Sequence, residues 1–292
     1  MGLTNFPNGI SSMGIPITGL EIISPFGTTY FVDNANGKDG NSGKQTTKAF
    51  STITKAAASV VDGDNIVVRG TASNYDESVT ITVPRITMLG VNFGENSGAW
   101  NADADATCLT FSDATNSRVS GFLFRPDGAT TGCAINVSEV TAELNDSIII
   151  DNNVFKSTGT TAAYGILANG CPAYLKVYNN HFTWLTTAMT NTTCTTTSAT
   201  GWEVMGNYFS DKCTNGIYMT MRRCRIEHNT FSAMTVALDT YGYASTNADY
   251  NSVHFNALGG AFNTAVYQGC TNDDWYGNAT EDGFNTADPT AA

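Results

Sequence analysis

Charged side chains are scarce in this sequence. They make up 14% of its 292 residues, well below the quarter that is usual for soluble domains. The few charges are unbalanced, because 26 Asp and Glu stand against 14 Lys and Arg, which gives a net charge of −12. Nucleic-acid binding depends on Lys and Arg that neutralise phosphates. The composition therefore argues against a nucleic-acid partner.

Long apolar runs and a targeting segment are also missing. No stretch of about 18 apolar residues occurs, so we expect no membrane insertion. The first residues, MGLTNFPNG, lack the basic and apolar regions of a signal peptide. The seven cysteines are odd in number and form no CxxC pair. Together these absences predict reduced, buried thiols in a protein assembled in the cytosol.

One short phrase recurs five times between residues 148 and 258. The copies are IIIDNNVF, LKVYNNHF, WEVMGNYF, CRIEHNTF and NSVHFNAL. Every copy contains an asparagine, and in the first four a phenylalanine follows it by two positions. The asparagines are Asn153, Asn180, Asn207, Asn229 and Asn256, and the phenylalanines are Phe155, Phe182, Phe209 and Phe231. Spacings of 22 to 27 residues predict a stack of similar coils.

Each copy has the pattern of two short strands joined by a bend. Apolar and polar residues alternate before the asparagine, as in Leu175, Lys176 and Val177, which is typical of a strand. The alternation then slips by one residue, at Asn152, Asn179, Gly206, His228 and Phe255. The first four are residue types that tolerate left-handed backbone angles. We therefore predict an all-β parallel β-helix in which the recurring asparagines face inward and hydrogen-bond from coil to coil.

Looser copies of the phrase precede residue 148. ITMLGVNF (86–93) and SRVSGFLF (117–124) place Gly90 and Gly121 at the bend, so the aromatic stack is expected to start at Phe93 and include Phe124. A further strand in each coil is predicted where a small residue precedes an aliphatic one. These pairs are Ala134-Ile135, Gly165-Ile166, Ala188-Met189, Gly216-Ile217, Ala237-Leu238 and Ala265-Val266. Cys171 and Cys194 occupy matching positions and are expected to stack in the core.

Residues 28–83 resemble the opening of right-handed parallel β-helix proteins of the pectate-lyase-like superfamily. The resemblance rests on a strand ending in Val32-Asp33, a Gly/Asp/Asn-rich loop, the segment KAFSTITKAAASVV, and a first coil that begins GDNIVVRG. It implies a right-handed solenoid behind an N-terminal capping helix. The face that would cover the first coil consists of Phe50, Ile53, Ala57 and Val60. The expected organisation is an extended arm (1–27), a cap (28–62), a β-helix of about eight coils (63–270) and a tail (271–292).

The arm, residues 1–27, has neither strand nor helix periodicity but is rich in apolar residues. Phe6, Ile10, Ile15 and Ile17 are among them. A solvated linker would contain fewer, so we predict that the arm docks on another subunit, with a disordered leader as the alternative. The stretch TNFPNG followed by SSMGIP also resembles the leader of small virion proteins of tailed phages. That resemblance implies a virion protein whose partners are capsid or tail subunits.

Outward side chains of the repeated strands are the candidates for chemistry. Up the stack, one outward position reads Ile149, Lys176, Glu203, Arg225 and Ser252. The alternating charges there predict bonds from coil to coil. The next outward position places Glu227 beside His254, a candidate acid–base pair. The pectinase motifs GHG, RIK and NTD do not occur. The Asp/Asn-rich loop 33–41 predicts turns held by its own side chains, with a cation site as the alternative.

Three large apolar or aromatic residues stand at these outward positions, namely Ile149, Tyr178 and Met205. An apolar outward face indicates a partner surface, so we predict a homotrimer that buries them. The hypothesis favoured by the sequence is a virion structural protein, either a capsid decoration protein or a spike. It needs no cofactor and no metal.

Two other functions remain open from the sequence. One is a tail-associated polysaccharide depolymerase, and the other is a non-catalytic adhesin that binds a host-surface glycan. Both would use aromatic side chains to stack on sugars, and the candidates are Trp184, Trp202 and Tyr208. Trp202, however, falls at an inward phase of its strand.

Overall fold

The structure is a computed structural model that describes residues 11–12, 15–16, 27–95, 97–102, 105–126, 132–138, 147–157, 163–170, 172–192, 199–210, 212–232, 234, 236–239, 251–259, 265–268, 274–280 and 283–285. The first strands are β1 (Ser11–Ser12), β2 (Ile15–Pro16), β3 (Thr29–Val32), β4 (Asn65–Arg69), β5 (Tyr75–Asp76), β6 (Val79–Ile81), β7 (Thr87–Val91), β8 (Trp100–Asn101), β9 (Thr107–Ser112), β10 (Arg118–Ser120) and β11 (Leu123–Arg125). The middle strands are β12 (Cys133–Ser138), β13 (Ile149–Asp151), β14 (Val154–Lys156), β15 (Tyr164–Asn169), β16 (Lys176–Tyr178), β17 (His181–Thr183), β18 (Thr187–Thr192), β19 (Ala199–Thr200), β20 (Glu203–Met205), β21 (Tyr208–Phe209) and β22 (Asn215–Tyr218). The last are β23 (Met221–Arg222), β24 (Arg225–Glu227), β25 (Thr230–Ser232), β26 (Val236–Asp239), β27 (Ser252–His254), β28 (Ala257–Gly259), β29 (Ala265–Gln268), β30 (Asp274–Tyr276), β31 (Asn278–Thr280) and β32 (Gly283–Asn285). A 3₁₀ helix (Thr46–Lys48) and the helix α1 (Ile53–Ala57) lie between β3 and β4.

Three long sheets run along the molecule. Sheet 1 contains β3, β4, β7, β10, β13, β16, β20, β24, β27 and β30. Sheet 2 contains β5, β8, β11, β14, β17, β21, β25, β28, β31 and β32, and sheet 3 contains β6, β9, β12, β15, β18, β22, β26 and β29. From β4 onwards the chain visits sheets 1, 2 and 3 in turn, and consecutive coils pair in parallel. The predicted all-β parallel β-helix is confirmed.

The core lies between the three sheets. In sheet 1 the inward residues pair in register and are buried, namely Val119, Ile150, Val177, Val204, Ile226 and Val253. In sheet 3 the corresponding column is Leu109, Ile135, Ile166, Met189, Ile217 and Leu238. In the next coil the strand residue paired with Leu238 is Tyr267, and Val236 pairs with Ala265. The predicted pair Ala265-Val266 is therefore one residue out of phase.

The bend between sheets 1 and 2 is left-handed, as the slip in the alternation predicts. The φ angles are +55° at Asn152, +54° at Asn179, +68° at Gly206, +57° at His228 and +54° at Phe255. Gly121 joins this set with φ +81°, but the prediction for Gly90 is wrong, because Gly90 lies inside β7 and Asn92 (φ +63°) makes the bend. A Cβ on Gly90 would lie 2.6 Å from the Gly121 carbonyl oxygen, so glycine there permits close approach of two coils.

Five phenylalanines form a continuous column of rings in the core. Phe124, Phe155, Phe182, Phe209 and Phe231 stack with centroid separations between 4.5 and 5.4 Å. The prediction that Phe93 starts this column is wrong. Trp100 pairs with Phe124 in sheet 2, with ring centroids 5.3 Å apart, whereas Phe93 tilts against Phe122. The cause is the extra loop between the bend and β8, which moves Phe93 off the strand.

The recurring asparagines form a buried ladder beside that column, which we call the Asn ladder (Asn153, Asn180, Asn207, Asn229 and Asn256). From Asn180 onwards each Oδ1 accepts the main-chain N–H of the ladder residue one coil back, as from Asn180 to Asn207 over 2.9 Å. Asn153 Oδ1 accepts the N–H of Phe122 over 3.0 Å. Each Nδ2 donates to a main-chain carbonyl of the coil before, as from Asn207 to Val177 over 2.8 Å. The side-chain amides of the Asn ladder are thereby satisfied in the core.

The solenoid continues further than the sequence analysis predicts. Residues 271–292 were expected to form a tail, but β30 pairs with β27 and β31 pairs with β28. Asn278 extends the Asn ladder by one rung, because its Oδ1 accepts the Asn256 N–H over 2.9 Å. The Gly277-Asn278 pair repeats the bend and ladder positions of Gly206-Asn207, and that was the missed signal.

A short helix and its caps close the N-terminal end. The helical segment was predicted over 48–61, but α1 covers Ile53–Ala57 alone. Thr52 caps α1 by accepting the Lys55 N–H, and the Glu77 carboxylate of the first coil accepts the N–H groups of Ile53 and Thr54. The buried face consists of Phe50, Ile53, Ala56 and Val60, and the predicted Ala57 is half-buried and packs against the same core.

Several predicted features lie outside the described residues. These are the arm residues Phe6, Ile10 and Ile17, and the cysteines Cys171 and Cys194. Ile15 lies in β2, which pairs antiparallel with β1. Cys108 and Cys133 are buried free thiols, and Cys213 and Cys224 are also buried, as the cysteine pattern predicts. Among the described residues no helix is long and apolar enough to cross a membrane.

Candidate binding groove and the outer face of sheet 1

Buried carboxylates occur on the outer face of sheet 1. Asp151 is 4% exposed and accepts two hydrogen bonds from Arg118, over 2.8 Å from Nε and 2.6 Å from Nη2. The Ser120 hydroxyl donates to the same carboxylate over 3.2 Å. The hydrogen bond to Asp151 raises the pKa of Arg118. This pair is a bidentate ion pair between neighbouring coils, and the Asp151 carboxylate is fully engaged.

The charged column predicted on this face is present, but its partners differ. Lys176, Glu203 and Arg225 follow one another in register. Arg225 nevertheless donates along its own strand to Glu227, from Nη2 over 2.9 Å, while Glu203 accepts from the Tyr178 hydroxyl. Burial is the largest cause that raises the pKa of the Tyr178 hydroxyl, and the hydrogen bond to Glu203 raises it further. Bonds within a strand and across one coil therefore replace the predicted coil-to-coil charge contacts.

The candidate acid–base pair, Glu227 and His254, is part of the same network. His254 Nδ1 lies 3.8 Å from Glu227 Oε1, and His254 Nε2 lies 3.1 Å from Asp274 Oδ2. Glu227 is buried and is held by Arg225 through both of its oxygens. A general acid needs an accessible carboxyl that can exchange its proton. A buried carboxylate that an arginine holds through both oxygens does not offer one, so we assign these residues to structure.

Ile149, Tyr178 and Met205, predicted as an exposed interface, are half-buried instead. In-register neighbours on adjacent coils cover them in part, as Tyr178 lies between Asp151 and Met205. The exposed large apolar and aromatic side chains of the described residues are Val61, Val91, Tyr174, Trp184, Tyr208, Tyr218, Phe255 and Tyr276. This exposed set therefore does not include the three residues predicted as an interface.

The acidic residues of loop 33–41 are held by the protein itself. The Asp33 carboxylate accepts from the N–H groups of Ala35 and Asn36 and from Arg69 over 2.8 Å. Burial acts to raise its pKa, but these bonds outweigh burial and lower it. The Asp39 carboxylate is bonded in the same way by Ser51 and Thr52. Across the described residues no group of three or more His, Cys, Asp or Glu could hold a metal ion.

A groove on the outside of sheet 2 is the best candidate for a binding site, and we call it the sheet 2 groove. Its volume is about 350 Å³, within the range of small-molecule sites. Side chains from β11, β14 and β17 form its floor, and the loop after Asn92 and the residue after β17 form its rims. The lining residues are Phe93, Gly94, Glu95, Gly121, Phe122, Leu123, Arg125, Asn152, Val154, Lys156, His181, Thr183 and Trp184.

Cations and one indole ring dominate the groove. Arg125 and Lys156 occupy the outward position that follows the phenylalanine in successive coils, since Phe124 pairs with Phe155. Partial burial and then Lys156 lower the pKa of His181, which therefore favours its neutral form. Trp184 is 44% exposed with φ +58°, a conformation that is rare for a bulky residue. The Lys212 ammonium lies 5.5 Å from the centre of its ring.

Some of the aromatic residues predicted to contact sugars lie at the surface and others do not. Trp184 and Tyr208 are exposed as expected. Trp202 is fully buried, and its indole N–H donates to the Pro172 carbonyl over 2.7 Å. The two cations were not predicted. Arg125 and Lys156 each follow the recurring phenylalanine of their coil, and a comparison of that position between coils would have found them.

Comparison with known proteins gives the fold and little more. No protein-family profile and no curated protein matches the sequence. Among solved structures, XylC in complex with xylose is similar with a TM-score of 0.55 and 12% identity, over 86% of this chain and 68% of XylC. A GH136 lacto-N-biosidase from Eubacterium ramulus is matched at a TM-score of 0.38 and 10% identity, over 86% and 67% of the two chains. The likeness to XylC shows a shared β-helical fold.

Proposed function

We propose that this chain is a non-enzymatic structural protein of a phage particle, a capsid decoration protein or spike whose β-helix projects as a rigid rod. The observation that carries the non-enzymatic part is the state of the carboxylates on sheet 1. Asp151 and Glu227 are buried and bound by arginines, and Glu203 is bound by Tyr178. Glycoside hydrolysis requires two carboxyl groups facing the substrate, one of which gives up a proton.

The virion assignment is supported by the leader. TNFPNG followed by SSMGIP resembles the start of tailed-phage virion proteins, and its apolar residues Phe6, Ile10, Ile15 and Ile17 fit an arm that docks on a capsid or tail subunit. The Asn ladder and the phenylalanine column suit this role, because they fix coil to coil without a ligand. We further propose a homotrimer in which the half-buried Ile149, Tyr178 and Met205 become fully covered.

Sedimentation of assembled particles tests this function. Particles would be isolated by density gradient from cells producing either the full chain or a variant lacking residues 1–27, and the protein quantified in the particle band. We expect the full chain in the band and a loss of at least tenfold on deletion. A full chain that stays at the top of the gradient would refute the virion role, and undiminished occupancy of the truncated form would refute docking through the arm.

Light scattering tests the trimer. The expected mass is three times the 31.0 kDa of one chain. Met205→Arg, on the proposed interface, should shift the mass towards the monomer, because it places a charge in a buried apolar contact. Thr230→Arg, which faces outward on sheet 2, is the matched control and should leave the trimer intact. A wild-type monomer at micromolar concentration would refute the proposal.

A further inference from the structure

We propose that the sheet 2 groove binds an oligosaccharide that carries carboxylate groups. This inference does not depend on the virion role, because it rests on the shape and charge of the groove alone. The groove is concave, is open at the surface and has the volume of a small-molecule site. Its lining combines an exposed indole, two cations, and the hydroxyl, amide and imidazole groups of Thr183, Asn152 and His181.

The cations are the first argument. Arg125 and Lys156 lie next to each other on adjacent coils, about 4.8 Å apart along the stack. Like charges facing across strands destabilise a sheet. Within the described part of the chain neither side chain forms an ion pair, although acidic residues outnumber basic ones in the whole sequence by 26 to 14. Glu95 is the acidic residue in the lining that stands against these two cations. The pair of cations is suited to an anion, and an arginine binds a carboxylate through two parallel hydrogen bonds.

The indole is the second argument. Trp184 stands at one end of the groove with nearly half of its surface exposed, in a left-handed backbone conformation. The same left-handed conformation occurs at bends of the solenoid, including the bulky residues Tyr174 and Phe255, so the exposure of the indole is what matters here. The Lys212 ammonium lies 5.5 Å from the centre of the ring, within the range of a cation–π contact. A flat indole presents an apolar surface against which the C–H face of a pyranose ring packs, while the ring hydroxyls reach the polar groups of the groove.

The overall charge of the protein favours an acidic oligosaccharide over single-stranded nucleic acid, a ligand that proteins also bind with cations and aromatic rings. A nucleic acid carries a phosphate at every step and needs a track of positive charge. Here the net charge is −12, and Glu95 lines the same groove. A few carboxylates spaced along a sugar chain match two adjacent cations better than a continuous phosphate backbone.

Fluorescence titration of the full chain with matched probes tests the inference. The probes are a tetramer of β-1,4-linked glucuronic acid and its neutral counterpart, cellotetraose. We expect the acidic tetramer to bind at least tenfold more tightly and to weaken as salt rises from 50 to 500 mM. Equal affinities would overturn the preference for carboxylates, and absence of binding by both would overturn the site. Tighter binding of an octathymidylate would show that the groove serves nucleic acid.

Variants locate the binding in the groove. The double variant Arg125→Gln with Lys156→Gln should lose the preference for the acidic tetramer, and Trp184→Ala should weaken both probes about tenfold. Lys176→Gln removes an outward cation on sheet 1 and is the matched control, so it should bind as the wild type does. Unfolding midpoints in urea check that each variant is folded. If the control loses as much affinity as the double variant, binding is a general charge effect and the inference fails.

Discussion

The Asn ladder predicts a specific pattern of stability losses, with Asn207 at its centre. In the ladder Asn207 Oδ1 accepts the main-chain N–H of Asn180, and Asn207 Nδ2 donates to the Val177 carbonyl. Asn207→Ala leaves the Asn180 N–H without a partner in the core, at a cost of about 1–3 kcal/mol. Losing the bond to Val177 adds about 0.5–1.5 kcal/mol. We expect the free energy of unfolding to fall by about 2–4 kcal/mol.

Urea denaturation followed by tryptophan fluorescence and far-UV circular dichroism measures this loss. Thr230→Ala is the matched control, since Thr230 follows the next rung but faces outward, and it should change stability by less than about 0.5 kcal/mol. If Asn207→Ala and Thr230→Ala have the same midpoint, the ladder does not stabilise the coils and the reasoning is refuted.

Asn207→Asp separates the two hydrogen bonds by pH. The aspartate still accepts from Asn180, but its ionised form cannot donate to Val177 and is buried. The folded state therefore favours the protonated carboxyl and raises its pKa above the unfolded value of about 3.9. Stability of this variant should fall as pH rises through the folded pKa, whereas Asn207→Ala should lose the same amount at every pH. A pH-independent Asn207→Asp would contradict the assigned roles of Oδ1 and Nδ2.

Three further predictions follow from the core and the groove. Phe182→Ala should lower the free energy of unfolding by about 3–5 kcal/mol in urea titrations, because Phe182 stacks on two neighbouring rings, and Phe182→Leu should lose less. Burial raises the pKa of the Cys108 thiol, and it raises the pKa of the Cys133 thiol to about 11. Both cysteines should therefore react with a thiol reagent in urea but not in the native protein. The pKa of His181 is lowered in the folded state, so its contribution to stability should be lost as pH falls below about 6.5, and His181→Gln should flatten that part of the pH profile.

Much of the fold could be predicted because the pattern within each repeat determines where the strands end and where the bend lies. A residue with left-handed φ must separate the two strands, and Asn152 and Asn179 both precede a ladder residue. The slip in the alternation therefore located the bend from the sequence. Once the bend is fixed, the ladder residue must point inward, which is where hydrogen bonding to main-chain groups requires it.

Coil 2, β7 to β9, shows why the same reasoning fails where the repeat is interrupted. ITMLGVNF fits the phrase with Val91 in place of the asparagine, yet its bend lies at Asn92 and its ring position is taken by Trp100. The extra residues between Asn92 and β8 uncouple the local pattern from the register. Register is set by pairing with the next coil, and a pattern within one coil contains no information about that pairing.

The contrast between regular coils and an interrupted repeat also explains why the floor of the sheet 2 groove could be predicted and its rims could not. Its cationic floor was predictable, because Arg125 and Lys156 each follow a stacked phenylalanine and must therefore be neighbours on the outside of sheet 2. Its rims were not, because Glu95 lies in the irregular loop of coil 2 and Trp184 reaches the groove through a left-handed turn that bulky residues rarely adopt. A regular floor between irregular rims is what turns a flat solenoid face into a concave site. The residues that decide ligand specificity therefore belong to the part of the chain where the repeat no longer predicts structure.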